Sequence, residues 1–327
     1  MTTAGRYRAF GTRQARGSSP AYERLAFAVA EDARLLALLG ELPESRRQPN
    51  LLFAATRYLG GPVEDPAAFR DWVIRHWGEL AAVLRVRRTQ TNEVARCGVL
   101  LPVLARLPQP LALLEVGASA GLFLYPDAYR YRYGEDARTV GPADSPVLLR
   151  YAVRGPVPLP GRVPEVVWRA GIDLDPLDVT VDEDLRWLEA LVWPEHHERR
   201  AWLRAAAEIA RADPPRLVRG DLRTALPALA ARAPRDATLV VFHSSVLYQV
   251  PEPDRAAFAD LVRDLPGHWV SNEDTEVFPA MTAAVPVPGH GPAVSVLSLD
   301  GRPLALSLSH GQTLEWLPAA ADVFPAG

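Results

Sequence analysis

The chain contains no lysine; all 36 residues counted as Lys+Arg are arginine. That excludes a Schiff-base lysine, a lysine-anchored pyridoxal phosphate and a P-loop lysine. There is a single cysteine, Cys97. One thiol cannot build an internal disulfide, a cysteine-based zinc site or an iron–sulfur cluster, and no metal site is expected. No apolar run is long enough to span a bilayer, so no membrane partner is expected. With a net charge of −3 there is no global basic field, which argues against a nucleic-acid partner. The dinucleotide fingerprint G-x-G-x-x-G is also missing, which weakens the case for a dehydrogenase.

What is present is a large apolar content, 48% of 327 residues, enough for two domains or one large one. Residues 1–19 carry Arg6, Arg8, Arg13 and Arg16 among Gly, Ser and Thr. They lack the apolar stretch of a secretory signal and read as a loose arm, with the cytoplasm as the expected location. Residues 20–108 read as a helical cap. Tyr22, Leu25, Val29, Ala33, Leu36 and Leu39 recur at steps of three and four. Asp65-Pro66 is an N-cap followed by a first-turn proline, and Phe69, Val73, Trp77, Leu80 and Leu84 form a second stripe. Val94, Cys97, Leu101 and Leu104 form a third. Leu107-Pro108-Gln109-Pro110 then stops the helix and marks the expected boundary.

Residues 109–327 alternate strand and helix patterns. Strands are expected at Leu111–Val116, Glu165–Ile172, Arg216–Arg219, Ala237–Phe242 and His268–Ser271, with a helix over Ala256–Leu265 and another directly after the first strand. Val294–Leu299 and Leu304–Leu308 flank Asp300-Gly301, a hairpin signal. Together these predict a doubly wound, Rossmann-like, mostly parallel α/β sheet with an antiparallel terminal hairpin. An insertion at about 125–164 carries two extra strands, Tyr129–Tyr133 and Val147–Val153. The Tyr129-Arg130-Tyr131-Arg132-Tyr133 alternation fits a strand with one aromatic and one arginine face better than an RNA-stacking platform.

In such sheets ligands bind beyond the carboxyl ends of the strands. Those ends carry Glu115, Asp173, Asp221, His243-Ser244 and Glu273. Glu115-x-Gly117-x-x-x-Gly121 resembles the first motif of class I S-adenosylmethionine-dependent methyltransferases. Gly171-Ile172-Asp173 resembles the second motif, and Gly220-Asp221-Leu222 the adenine-contacting one. The resemblance implies S-adenosylmethionine as cofactor, held by Glu115, Gly117, Ala118, Ser119, Gly121, Asp173, Asp221 and Leu222. Glu115 would face its cationic end and Asp173 its ribose hydroxyls. The spacing from Gly117 to Asp173 is far longer than the usual twenty or so residues of that family, so the insertion must be looped out. Gln90-Thr91-Asn92-Glu93, Leu114–Leu122, Gly171–Val179 and Val192-Trp193-Pro194-Glu195 look like the bacterial Domain of Unknown Function 2332 family, which names no substrate.

Methyl transfer to a small molecule is therefore the leading expectation, with His243 and then Glu273 as general base. Gln90, Asn92, Glu93 and Ser244 are expected to line the substrate side, with Tyr125 or Trp193 as an aromatic wall. For Gln90–Glu93 the plain alternative is Thr91 or Asn92 as a helix N-cap. Two rival functions remain. One is a non-catalytic or degenerate Rossmann-like binding protein. The other is a serine hydrolase, since Gly117-Ala118-Ser119-Ala120-Gly121 also fits the G-x-S-x-G elbow, with Asp221 or Asp236 and His243 or His310 to follow. The oligomeric state is left open by the sequence.

Overall fold

Helical periodicity over the first hundred residues yields α1 (Thr3–Phe10), α2 (Pro20–Glu31), α3 (Ala33–Gly40), α4 (Pro49–Tyr58), α5 (Pro66–Arg75), α6 (Trp77–Val86) and α7 (Cys97–Leu104). Later helices are α8 (Asp182–Leu191), α9 (His197–Ala212), α10 (Leu222–Ala230) and α11 (Glu252–Arg263). The computed structural model describes residues 1–90, 92–135, 139–286, 294–308 and 310–324. Two units emerge: Met1–Thr91 with Val179–Arg204, and Asn92–Asp178 with Ala205–Gly327. The boundary expected near residue 108 thus falls at 91/92. The third apolar stripe belongs with the sheet because all of α7 is buried there.

The first unit is helical. Residues 1–19 are not a loose arm. Thr2 caps α1 by accepting the Gly5 N–H, and buried Tyr7 and Phe10 meet the Phe53 ring edge-on. The apolar face of an amphipathic turn outweighs the arginine content there. Ser19 and Asp65 cap α2 and α5, accepting the N–H groups of Tyr22 and Ala68. Residues 179–204 join this unit through specific clasps. Trp187 is fully buried and its indole N–H donates to the Arg88 carbonyl at 3.0 Å. Glu195 accepts the Ser19 hydroxyl at 2.6 Å and the Ala21 N–H at 2.9 Å. Burial works to raise the Glu195 pKa, but these hydrogen bonds win and hold it below the usual carboxylate value.

Among the described residues the second unit is built on a ten-stranded sheet: β1 (Leu111–Val116), β2 (Arg130–Tyr133), β3 (Leu148–Arg154), β4 (Val166–Asp173), β5 (Arg216–Arg219), β6 (Thr238–Ser244), β7 (His268–Asp274), β8 (Val294–Leu299), β9 (Arg302–Leu308) and β10 (Thr313–Trp316). The spatial order is β2-β3-β10-β9-β8-β7-β6-β1-β4-β5. Six pairings are parallel, while β7·β8, β8·β9 and β9·β10 are antiparallel. The five expected core strands and the hairpin are present, with Asp300 and Gly301 both at positive φ in its turn.

Two features differ from expectation. No helix follows β1. A short 3-10 turn (Leu122–Leu124) leads toward Pro126, whose ring disfavours helical geometry at Tyr125. The chain then runs to the far edge, lays down β2 and β3 in parallel, and returns to pair β4 with β1. The insertion is therefore part of the sheet. It attaches through β10, a four-residue strand absent from the sequence-level reading, which pairs with β3 on one side and β9 on the other.

One face of the sheet packs Leu114, Val116, Ala170, Ile172, Leu239, Val241 and Trp269 against Leu226 and Leu229 of α10 and Phe258 and Val262 of α11. Away from those helices, β2 and β3 hold the 95–98 segment. The Tyr133 hydroxyl donates to the Gly98 carbonyl at 2.7 Å, and the Tyr151 hydroxyl donates to the Ala95 carbonyl and accepts the Gly98 N–H at 3.1 Å. Tyr131 and Tyr133 are buried while Arg130 and Arg132 are half-buried, which is the two-faced strand expected.

Candidate functional site

The carboxyl ends of β1, β4 and β5 meet around one loop. Gly117, Ser119 and Gly121 all adopt positive φ, at 73°, 50° and 70°. For Ser119 this left-handed conformation costs about 1–2 kcal/mol, so its surroundings must hold it there. They do so from three sides. Its N–H donates to Asp173 Oδ2 at 2.8 Å, its carbonyl accepts the Leu177 N–H at 3.0 Å, and its hydroxyl oxygen accepts from Asn92 Nδ2 at 2.6 Å. The Ala120 N–H also reaches Asn92 Oδ1 at 3.3 Å. Asn92 therefore serves the glycine loop and is not an N-cap, while Thr91, the other N-cap candidate, lies outside the described residues.

Asp173 takes the Ser119 N–H on one oxygen and the Asp175 N–H, at 2.8 Å, on the other. It is half-buried, and a carboxylate has about four lone-pair sites, so acceptor capacity remains. The Asp173 carbonyl accepts the Gly220 N–H, which brings Asp221 alongside. Asp221 caps α10 through the Arg223 N–H at 2.9 Å, and Leu222 packs on the apolar face below. The glycines have internal reasons too. A side chain at position 117 would strike Val246, and one at 121 would strike Pro215 and Leu217.

Glu115 alternates with Leu114 and Val116, so it points to the opposite face from α10 and α11. It is 4% exposed, and its Oε2 is buried without a hydrogen-bond partner. Burial first, and the neighbouring Asp173 second, push its pKa well above the carboxylate range; Arg96 opposes them. Arg96 is itself buried and donates to the Ser244 carbonyl at 3.0 Å. The Ser244 hydroxyl accepts from Asn272, whose carbonyl oxygen accepts from Ser307, both at 3.0 Å. Glu93 lies under this corner, 2% exposed, with Oε2 3.7 Å from Nδ1 of half-exposed His310.

The expected general bases are corrected. His243 is fully buried, with Nδ1 at 2.7 Å from Glu273 Oε1. Its Nε2 accepts the Trp269 indole N–H at 2.9 Å. An indole nitrogen only donates, so Nε2 carries the lone pair and Nδ1 the proton. No lone pair is left for a substrate proton. Glu273 also accepts the Val246 and Leu247 N–H groups and pins the turn after β6. Strand parity explains both: His243 shares the face of Leu239 and Val241, and Glu273 that of Trp269.

The aromatic wall is also corrected. Tyr125 is buried, its hydroxyl donating to the Asp213 carbonyl at 2.6 Å and its ring lying 4.8 Å from the Arg169 guanidinium carbon. It is an internal post. Trp193 belongs to the first unit, where its indole N–H donates to Asn50 at 3.0 Å and its ring meets Phe10 and Tyr22. Gln90 also lies in the first unit. Ser119 is buried and bonded to Asn92, and a 3-10 turn follows it where a hydrolase elbow would open a long helix.

Sequence reasoning gave no role to Arg96 or Tyr248, and considered His310 only as a hydrolase partner. Tyr248 is 57% exposed on the turn after β6, with its hydroxyl within electrostatic reach of Arg96. The helical stripe that contains Arg96 gave no hint that it turns toward the sheet. No helix among the described residues is long and apolar enough to cross a membrane. No curated protein and no solved structure matches the chain. The chain does match, over residues 4–316, the family described as "Uncharacterized protein conserved in bacteria (DUF2332)", and it belongs to that family.

Proposed function

We propose that the edge formed by β1, β4 and β5 binds S-adenosylmethionine, and that the protein methylates a small molecule. The observation that carries this is Glu115, a buried carboxyl group with a hydrogen-bonding oxygen left over, set beside a positive-φ loop and the half-buried Asp173. An unmatched buried polar atom costs about 1–3 kcal/mol, and a ligand group that meets it recovers that cost. Asp173 would accept from ribose hydroxyls with its remaining lone pairs. Asp221 and the exposed Leu174 would flank the base. Asn92 and Asp173 together keep the loop in shape before any ligand arrives, which limits the ordering cost of binding.

When bound, the cofactor would supply an electrophilic methyl group on a cationic sulfur. The chain's own task is then positioning and water exclusion, and it needs acid–base help only if the acceptor must lose a proton. The engagement of both His243 nitrogens favours a second reading, in which the site binds a nucleoside without turning it over. Calorimetry with S-adenosylmethionine and S-adenosylhomocysteine tests the cofactor directly. Saturable heat is expected with both, weakened at least tenfold in Asp173→Ala. No heat at millimolar ligand sinks the proposal.

A further inference from the structure

The alternating strands β2 and β3 have a second face that a nucleoside at the glycine loop does not use. Tyr131, Tyr133 and Tyr151 are buried on one side. The alternate residues Arg130, Arg132, Arg150 and Arg154 therefore stand on the other. The parallel register sets Arg132 directly beside Arg150. Neighbouring strands lie about 4.8 Å apart, and like charges at that spacing repel. The flanking arginines have local partners. Arg130 donates to the Ala143 carbonyl at 3.3 Å, and Glu315 of β10 stands in register beside Arg154. At the central pair a cavity of about 470 Å³ opens, lined by Arg132, Gly134, Glu135, Arg150, Tyr151 and Ala152. Arg132 donates from Nη2 to the Glu135 carbonyl, beyond the positive-φ turn at Gly134. Its Nε is buried and, among the described residues, has no hydrogen-bond partner. Such a donor is costly to leave unmatched, and a ligand oxygen that meets it recovers the cost.

We propose that this cavity binds the phosphate monoester of a small molecule, with the phosphoryl group held between Arg132 and Arg150. Guanidinium forks match phosphate oxygens in pairs. A phosphate monoester carries nearly two negative charges at neutral pH, so it answers both cations where a carboxylate answers one. Arg150 already takes part in other interactions, but a guanidinium has five N–H donors, so it can contribute here as well. The cavity is much larger than a phosphoryl group and has the size of a small-molecule site, which leaves room for the organic part of an ester. A nucleic-acid strand fits less well. Glu135, exposed at the rim, and Glu315 confine the positive charge to a spot rather than a track. The tyrosine rings that would stack bases are buried on the far face. The site is also separate from the glycine loop, since six strand spacings, roughly 29 Å, lie between β3 and β1. It stands independently of the methyl-transfer reading.

The test is calorimetry on the full chain with phenyl phosphate, and with phenyl sulfate as a probe of the same shape carrying one negative charge. Phenyl phosphate should bind saturably and at least tenfold more tightly than phenyl sulfate. Arg132→Gln and Arg150→Gln should each weaken it at least tenfold, while Arg154→Gln should leave it within twofold. Arg150 is exposed, so Arg150→Gln decides alone if Arg132→Gln does not fold. No saturable heat at millimolar phenyl phosphate, equal affinity for the sulfate, or binding that survives the substitutions overturns the proposal. A thymidine dodecamer bound more tightly than phenyl phosphate overturns the small-molecule assignment. S-adenosylhomocysteine should not compete with phenyl phosphate; competition would move the phosphate to the glycine loop and remove it from this cavity.

Discussion

Asp173→Asn is the sharpest probe of the loop. The native carboxylate accepts two backbone N–H groups, from Ser119 and Asp175, both at 2.8 Å. Asparagine is nearly isosteric but offers one oxygen and one NH₂. One of the two N–H groups must therefore face a donor. Hydrogen bonds to a charged group contribute about 1.5–3 kcal/mol each. Asp173 is half-buried, so water can partly replace the lost partner. The expected cost is about 2–3 kcal/mol, falling on the sheet unit. A shift of roughly 4–12 °C in its melting transition follows for a body of about 150–250 residues. Amide exchange offers a local measure: the Ser119 N–H should exchange about 30-fold faster or more, because its closing interaction is gone. Affinity for S-adenosylhomocysteine should fall at the same time. A stability change under about 0.5 kcal/mol, with Ser119 exchange unaltered, would mean that the loop holds its positive-φ shape without the acid.

Three further outcomes are expected. Glu115→Gln should gain stability over wild type as pH rises: the raised folded pKa means the unfolded chain ionises first, so wild type loses stability upward from the ordinary value near 4.5. Unfolding free energies from urea titrations should therefore diverge with pH by a slope approaching about 1.4 kcal/mol per pH unit, and parallel curves would refute the burial argument. Asn92→Ala should cost about 1–2 kcal/mol for its two loop contacts and impair ligand binding, and neither it nor wild type should be labelled at Ser119 by a fluorophosphonate probe. Gly98→Ala would place a methyl group inside the Tyr151 ring and should cost about 3 kcal/mol in denaturant unfolding, an ordinary surface-like change being the contrary result.

Much of the sheet was legible because buried strands announce themselves as short apolar runs closed by Gly, Asp or Asn. Leu111–Val116 matches its buried strand residue for residue, and Arg216–Arg219 matches an edge strand whose two arginines are exposed. β10 was not, because Thr313–Trp316 has four residues of mixed polarity and no flanking signal beyond Gly311. The helix after β1 was expected from the general grammar of alternating folds, although Pro126 already argued against it. His243 and Glu273 show a different gap. Their places at strand ends were foreseen, but counting alternate residues from Leu239 and Trp269 would have turned both toward the apolar face. The closeness of Asn92 in sequence to β1 places it near the glycine loop, and its side chain does meet Ser119 and Ala120 there. The place of Trp193 was not legible, because nothing in a single sequence says that residues 179–204 leave the sheet and return to the first helices.

The excursion of the chain between β1 and β4 sets the order in which the molecule can be assembled. Ser119 and Asp173 are 54 positions apart, and the residues between them include β2 and β3 at the opposite margin of the sheet. Closing so long a loop is entropically opposed until the contacts it permits are made, so structures of high contact order form slowly. The long closure predicts that the glycine loop forms late, so that substitutions there change the unfolding rate more than the folding rate. β1 must wait for β4 to acquire its neighbour, and β3 must wait for β10, which is more than 150 residues downstream. An emerging chain carries β1 unpaired on both sides until β4 and β6 have been synthesised, exposing two hydrogen-bonding edges throughout that interval.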